Sequence, residues 1–274
     1  MAAADRNGGM AERSRLGELE AVVRSGEAAL FTGAGFSAEA KDRAGESVPD
    51  ASEMIRDLWR MLYGNEDPDD SSLSDLYDAA LLRAPDQLRT YLDRRLKIGD
   101  TPLPESFARW FSAPWQRVYT LNVDDLEHAV MRQFKLPRPL LPRSALGTAS
   151  SAAPADGLDV IHLNGIAGDA AEDVTFSTLQ YAERLCSRDR EYERLVRDLA
   201  TIPFVFVGTT LDEVVLWKHM HMERQARGEN PPRKHSFLIA SHLTRARRDL
   251  LESVRIHWIQ ATSAEIAEIV LAKL

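Results

Sequence analysis

Six short apolar runs constrain this chain more than any other feature: AALF at 28–31, RVYTL at 117–121, DVIHL at 159–163, PFVFV at 203–207, SFLIA at 236–240 and RIHWI at 255–259. Each has strand length and is rich in β-branched or aromatic residues, and most of the intervals between them are long enough for a helix. A strand that is apolar on both faces has to be covered on both faces, which is the condition of a parallel sheet between two helical layers. The expected fold is therefore α/β: a doubly wound, Rossmann-like parallel sheet with its ligand cleft at the carboxyl ends of the strands. The interval from Pro49 to Pro104 exceeds one crossover. It reads as a helical insertion, about 50–105, with helices in ASEMIRDLWRMLYG, LSDLYDAALL and DQLRTYLDRRL. Apolar spacing at Leu16, Leu19, Val22 and Val23 predicts one more helix, closed by Ser25-Gly26. Residues 1–15 read as a disordered leader and 16–274 as one domain, SALGTASSAAPADG (144–157) reads as loop, and no internal repeat is visible.

Composition narrows the function classes. Hydrophobic residues make up 44% of the 274, enough for a real core, and the net charge of −8 argues against a nucleic-acid binder. The basic stretches RQAR (224–227) and RARR (245–248) read as solvated helix faces in acid-rich surroundings rather than partner contacts. No apolar run is long enough for a membrane span, and the N-terminus lacks the apolar stretch of a secretory signal, so a cytoplasmic location is expected. The single cysteine, Cys186, excludes an internal disulfide and a four-cysteine zinc site, and reads as a buried structural thiol in a helical stretch.

Four of the predicted strands end in residues that can carry chemistry. FTGAGFS (31–37) places Gly33 and Gly35 where a backbone turns sharply and approaches a ligand closely, with N–H groups free to cradle a pyrophosphate; a plain strand-to-helix turn is the other reading. YTLNVDDLEHAV (119–130) puts Asn122, Asp124 and Asp125 past a strand end. One aspartate is expected to cap the helix near Leu126, leaving Asn122 for function. VIHLNG (160–165) places His162 and Asn164 on one side of a strand and Leu163 on the other; His162 reads either as a site residue or as a hydrogen-bonded core histidine. FVFVGTTLDE (204–213) offers Gly208, Thr209 and Thr210 to phosphate or ribose, with Asp212 a helix cap, unless the segment is only a capped helix start.

Together these segments resemble the sirtuin superfamily. FTGAGFS is similar to its GAGxS phosphate loop, TLNVD to TQNID, LNG to LHG and GTTL to GTSL, in the same order along the chain. GESVPDASEMIRDLW resembles the loop and helix of the bacterial antiphage-defence branch rather than the GIPDFR loop of the deacylases, and one cysteine cannot build the deacylase zinc module. The resemblance implies NAD as substrate, no zinc, and cleavage of NAD to ADP-ribose and nicotinamide. It implies that Gly33, Ala34, Gly35 and Ser37 line the pyrophosphate and ribose. Asn122 would position ribose or the attacking water, Asp124 would face the nicotinamide side, and Gly208, Thr209 and Thr210 would serve the adenosine half. It also implies activation by a separate sensor protein or by self-assembly. Two positions depart from the pattern. Leu121 replaces the glutamine of TQNID, and Asn164 replaces the histidine of LHG. Three consequences stay open on the sequence: His162 substitutes, weak activity persists on Asn122, or the domain is a silent NAD or ADP-ribose sensor.

Overall fold

The computed structural model describes residues 14–146, 156–168, 174–186, 189–211, 216–218, 220–221, 225 and 234–274. The first helix, α1, runs over 14–24 and ends at Gly26, whose φ of +70° turns the chain into the first strand. Residues 14 and 15, expected in the leader, belong to this helix. The Arg15 guanidinium donates to the Trp258 carbonyl at 3.1 Å and pairs with Glu252.

Seven parallel strands form one sheet in the order β3-β4-β2-β1-β5-β6-β7. They are β1 (Ala29–Thr32), β2 (Arg117–Thr120), β3 (Leu140–Ser144), β4 (Leu158–His162), β5 (Phe204–Val207), β6 (Ser236–Ala240) and β7 (Ile256–Gln260). The doubly wound expectation is borne out. Leu30, Val118, Val160, Val205 and Phe237 enter one apolar layer, whereas Phe31, Tyr119, Ile161, Phe206 and Leu238 enter the other. Alternate residues of each strand thus pack opposite layers, as the two-residue period of a strand requires. The chain passes from β1 to β2 on one side and returns to β5 on the other, so the strand order reverses between β1 and β5. The crevice at such a reversal is where sheets of this kind hold ligands.

β3 was not expected: its residues LLPRS contain Pro142. It lies at the sheet edge, where a missing N–H costs no ladder bond, and it pairs with β4 from Leu140↔Leu158 to Ser144↔His162. α2 (Ala34–Ser37) follows β1 directly; the insertion contains α3 (Ala51–Tyr63), α4 (Leu73–Arg83) and α5 (Pro85–Arg95), and α6 (Glu105–Ser112) leads from its end toward β2. The insertion's helix starts are legible as caps. Asp50 and Glu53 form a reciprocal capping box on α3, Ser72 caps α4, and Pro85 occupies the first turn of α5. Helix α7 (Leu126–Gln133) follows β2. The charged stretch after β4 is two helices, α8 (Thr178–Cys186) and α9 (Arg190–Thr201), the second capped by Asp189. α10 (Arg245–Ser253) and α11 (Ser263–Ile269) complete the chain before a final 3₁₀ turn, Leu271–Lys273. The Cys186 side chain, Asp212, and Arg224 and Arg227 of RQAR lie outside the described residues. In RARR, the Arg247 guanidinium lies over the Trp217 ring and that of Arg248 over Trp258. No helix among the described residues is long and apolar enough to cross a membrane.

Candidate functional site

One register row explains why distant segments meet. Ser144, His162, Thr120, Thr32, Val207, Ile239 and Ile259 are successive partners across the sheet. The chain segments leaving this row open into a single cleft of about 980 Å³ at the carboxyl edge. That volume is at the upper end of small-molecule sites, roughly 300–1,000 Å³. Gly33, Ala34 and Gly35 after β1, Asn122 and Asp124 after β2, Asn164 after β4, and Gly208, Thr209 and Thr210 after β5 all line it. Ser241 and His242 after β6 and Thr262 after β7 extend the same cleft. Sequence reasoning omitted these three, although the strand-end rule that found the others applies to SFLIA and RIHWI equally.

The glycines act differently from expectation. The N–H of Gly33 donates to the Val207 carbonyl at 3.0 Å, that of Gly35 to the Gly208 carbonyl at 2.9 Å, and that of Phe36 to Gly33 at 2.8 Å. These amides are therefore committed to the protein, whereas the Ala34 N–H, on the cleft wall, has no backbone acceptor outside its own helix among the described residues. What the glycines permit is contact between two backbones. Gly208 has φ of +69°, and a Cβ there would fall 2.1 Å from the Phe36 nitrogen. A Cβ on Gly33 would fall 2.7 Å from the Gly208 oxygen. The β1 and β5 turns are zipped together with no room for a side chain between them. Thr209 folds its hydroxyl back to accept from the Leu211 N–H at 2.9 Å, which leaves Thr210 as the more exposed hydroxyl on this wall.

Asn122 is clamped at the cleft floor. Its side-chain amide donates to Ser37 Oγ at 2.8 Å, its backbone N–H donates to Thr120 Oγ1 at 3.0 Å, and its carbonyl accepts from His162 Nδ1 at 2.9 Å. The bond to Ser37 commits one of the two amide protons, and among the described residues no donor reaches the carboxamide oxygen, which is the acceptor Asn122 can offer a ligand. Ser37, expected along the pyrophosphate, is instead 0% exposed behind this floor, where its hydroxyl also bonds the Asp124 carboxylate. Asp124 accepts the Leu126 N–H at 3.2 Å from the position ahead of the N-cap, Asp125, whose own side chain makes no capping bond. Asp125 accepts from the Ile98 N–H at 2.7 Å and ties the insertion to the end of β2. The loop between α2 and α3 walls this side of the cleft. It is fixed by Asp42, which accepts from the N–H groups of Ala44 and Glu46 and pairs with Arg95.

His162 does not reach the cleft. As the last residue of β4 its side chain stands perpendicular to the sheet, into the layer covered by α7, and is 0% exposed. Its Nδ1 donates to the Asn122 carbonyl, while Nε2 faces Glu127 Oε2 at 3.2 Å, out of line for a hydrogen bond. Neither of those two atoms has a hydrogen-bond partner among the described residues, so the ion pair is what compensates each. Burial by itself depresses the imidazolium pKa, but the adjacent Glu127 and the Asn122 carbonyl more than offset that, and the net shift is upward. Asn164 is the LNG residue that lines the cleft, its side-chain amide held on the Leu121 carbonyl at 3.3 Å. Glu127 was not singled out in the sequence; its place three residues beyond Asp124, on the sheet-facing side of α7, was the available signal.

Burial first, and then the neighbouring Glu127, push the Asp124 pKa from its ordinary 3.8 up to about 7, against opposing pulls from Ser37, His162 and the Leu126 N–H. The folded chain thus holds this proton more tightly than the unfolded one. Its contribution to stability is complete below pH 3.8 and is lost as pH rises toward 7. The unfolding free energy of the wild type minus that of Asp124→Asn is therefore expected to fall steadily from pH 4 to pH 7 in urea titrations. A constant difference across that range contradicts the raised value.

A family model for the SIR2-like domain matches residues 116–259, just over half of the chain and the span from β2 to β7. No curated protein matches the chain. The Gly33–Ser37 turn lies ahead of the matched segment, and its place in the cleft rests on the sheet register described above.

Proposed function

The chain belongs to the SIR2-like family, which implies an NAD-related function, and from that premise we propose that it is an NAD glycohydrolase releasing nicotinamide and ADP-ribose. The observation that carries this reading is the convergence of the β1, β2, β4 and β5 ends on one cleft with Asn122 immobilised at its floor. In this pose the pyrophosphate lies over the β1–β5 turns at the sheet's reversal point. One half of the dinucleotide extends over Asn122 and Asp124, the other toward Ser241, His242 and Thr262. The bond-breaking half is assigned to the Asn122 side because the loop between α2 and α3 walls it from water, whereas Ser241, His242 and Thr262 are exposed. Cleavage of the ribose–nicotinamide bond develops positive charge on the ribose. A fixed carboxamide oxygen and nearby carboxylate stabilise that charge without reorganising.

Purified protein incubated with NAD is expected to release nicotinamide, measured by chromatography. Asn122→Ala is expected to reduce the rate about 10²-fold, the scale of losing one positioned polar group. Protein that binds NAD, seen as a rise in Tm, but releases no nicotinamide under any activating condition sinks the glycohydrolase reading. That outcome supports the second reading, a silent NAD or ADP-ribose sensor, which Asn164 on the cleft wall favours because an amide cannot accept a proton at neutral pH. The proposal includes a role as an antiphage-defence effector, supported by the resemblance of GESVPDASEMIRDLW to that branch, with activation by a sensor protein or self-assembly.

A further inference from the structure

Hydrolysis of the ribose–nicotinamide bond consumes a water and releases a proton, and Asn164 cannot take it. Among the described cleft residues, the carboxylates are Glu39, Asp50 and Asp124. Asp50 is occupied in the capping box of α3, and Glu39 is solvent-exposed on the loop. His242 lines the opposite, open end. Asp124 is 4% exposed, two residues from Asn122, and lies under the walled half of the cleft.

We propose that Asp124 is the proton acceptor of the reaction, and that Glu127 and His162, which do not line the cleft, are positioning residues that set its charge. This rests on the glycohydrolase reading. In the step, the water oxygen bonds to C1′ of the nicotinamide ribose. The C1′–N1 bond breaks with its electron pair passing to the pyridinium nitrogen, so neutral nicotinamide leaves with no proton added to it. The water proton passes to an Asp124 carboxylate oxygen, and ADP-ribose is the other product.

The geometry supplies both orientation and electrostatics. Ser37 and the Leu126 N–H hold the carboxylate, and Ser37 is the same hydroxyl that fixes Asn122, so the acceptor and the ribose-positioning amide share one anchor. The charged groups facing Asp124 are Glu127 from α7 and His162 from β4, which face each other at 3.2 Å. Glu127 exerts the larger effect on Asp124 and raises its pKa, whereas His162 opposes it. His162 also grips the Asn122 carbonyl, and thereby couples the charge beneath the floor to the position of the residue above it. A carboxylic acid titrating near 7 is matched to accepting a proton at neutral pH, where one of ordinary acidity is a poor base.

The test is nicotinamide release by wild type, Asp124→Asn and Glu127→Gln from pH 5 to pH 9, with NAD binding followed separately by the ligand-induced rise in Tm. The wild-type rate is expected to climb with pH along a limb centred near 7. Asp124→Asn should lose roughly 10²–10⁴-fold in kcat while keeping the NAD-induced Tm rise. Because Glu127 raises the acceptor's pKa, Glu127→Gln should move the limb to lower pH. If Asp124→Asn is too unstable to assay, the wild-type and Glu127→Gln profiles decide. A kcat for Asp124→Asn within threefold of wild type, or a limb that Glu127→Gln leaves in place, overturns the assignment while the glycohydrolase reading stands. A wild type that binds NAD without turnover overturns both.

Discussion

Gly208→Ala is expected to lower the unfolding free energy by about 2–5 kcal/mol, the sum of a left-handed residue's strain and a forced overpacking. At Gly208 the φ of +69° is unfavourable for any L side chain, and the new Cβ would lie 2.1 Å from the Phe36 nitrogen and 2.7 Å from the Gly35 carbonyl carbon. Those neighbours are backbone and cannot rotate away, so the β1 and β5 turns must separate. Gly45→Ala is the matched control. Gly45 has φ of +82° but nothing within 4 Å of its would-be Cβ, so only the conformational cost applies, about 1 kcal/mol. Urea midpoints of the two variants separate space from strain. Equal losses at both positions would show that backbone contact between the turns is not what excludes a side chain. Since the displaced turns line the cleft, Gly208→Ala should also abolish the NAD-induced rise in Tm.

Glu127→Leu is expected to cost about 3–5 kcal/mol, the penalty for leaving a buried charge without its partner. His162 is wholly buried, and Glu127 is the carboxylate that its Nε2 faces at 3.2 Å. Because the His162 pKa is raised in the folded chain, the stability the pair contributes is complete below the imidazole's ordinary 6.5. It is lost as pH rises through the raised value. The penalty should accordingly be greatest in mildly acidic urea titrations and shrink in alkaline ones. Glu127→Leu combined with His162→Leu should recover a large part of the loss, since removing both members of a buried pair is far cheaper than removing one. A single variant within 1 kcal/mol of wild type at pH 6 would mean that the pair does not carry the charge described.

Much of this architecture was legible from residue patterns. PFVFV and DVIHL are apolar on both faces, which only a sheet covered on both sides can bury. Asp50-Ala-Ser-Glu53 and Pro85 announce helix starts through local hydrogen bonding and a preset φ. β3 was missed because LLPRS carries a proline, and edge position, which makes that proline harmless, is a property of the whole sheet. His162 and Ser37 were expected to face ligand and instead lie behind the floor. Asn122, Asp124, Asn164 and Gly208, singled out as polar or glycine residues after buried strands, do line the cleft.

What the chain's order of residues determined unaided was six of the seven strands, the helices of the insertion, the parallel sheet and the edge of that sheet where polar groups collect. These follow from periodicity and from local backbone preference, both of which act within a few residues. Which side chain enters the cleft and which lies beneath it was decided only by the tertiary structure. The row that ends at Thr32, Thr120 and His162 sets where each strand stops. His162, on that row, points into a helical layer, whereas Gly33, Asn122, Asn164 and Gly208 beyond it open into the crevice. The raised pKa of Asp124 belongs to the same class of fact: it depends first on burial beneath the cleft and then on Glu127, both of which the packing of α7 against the sheet decides.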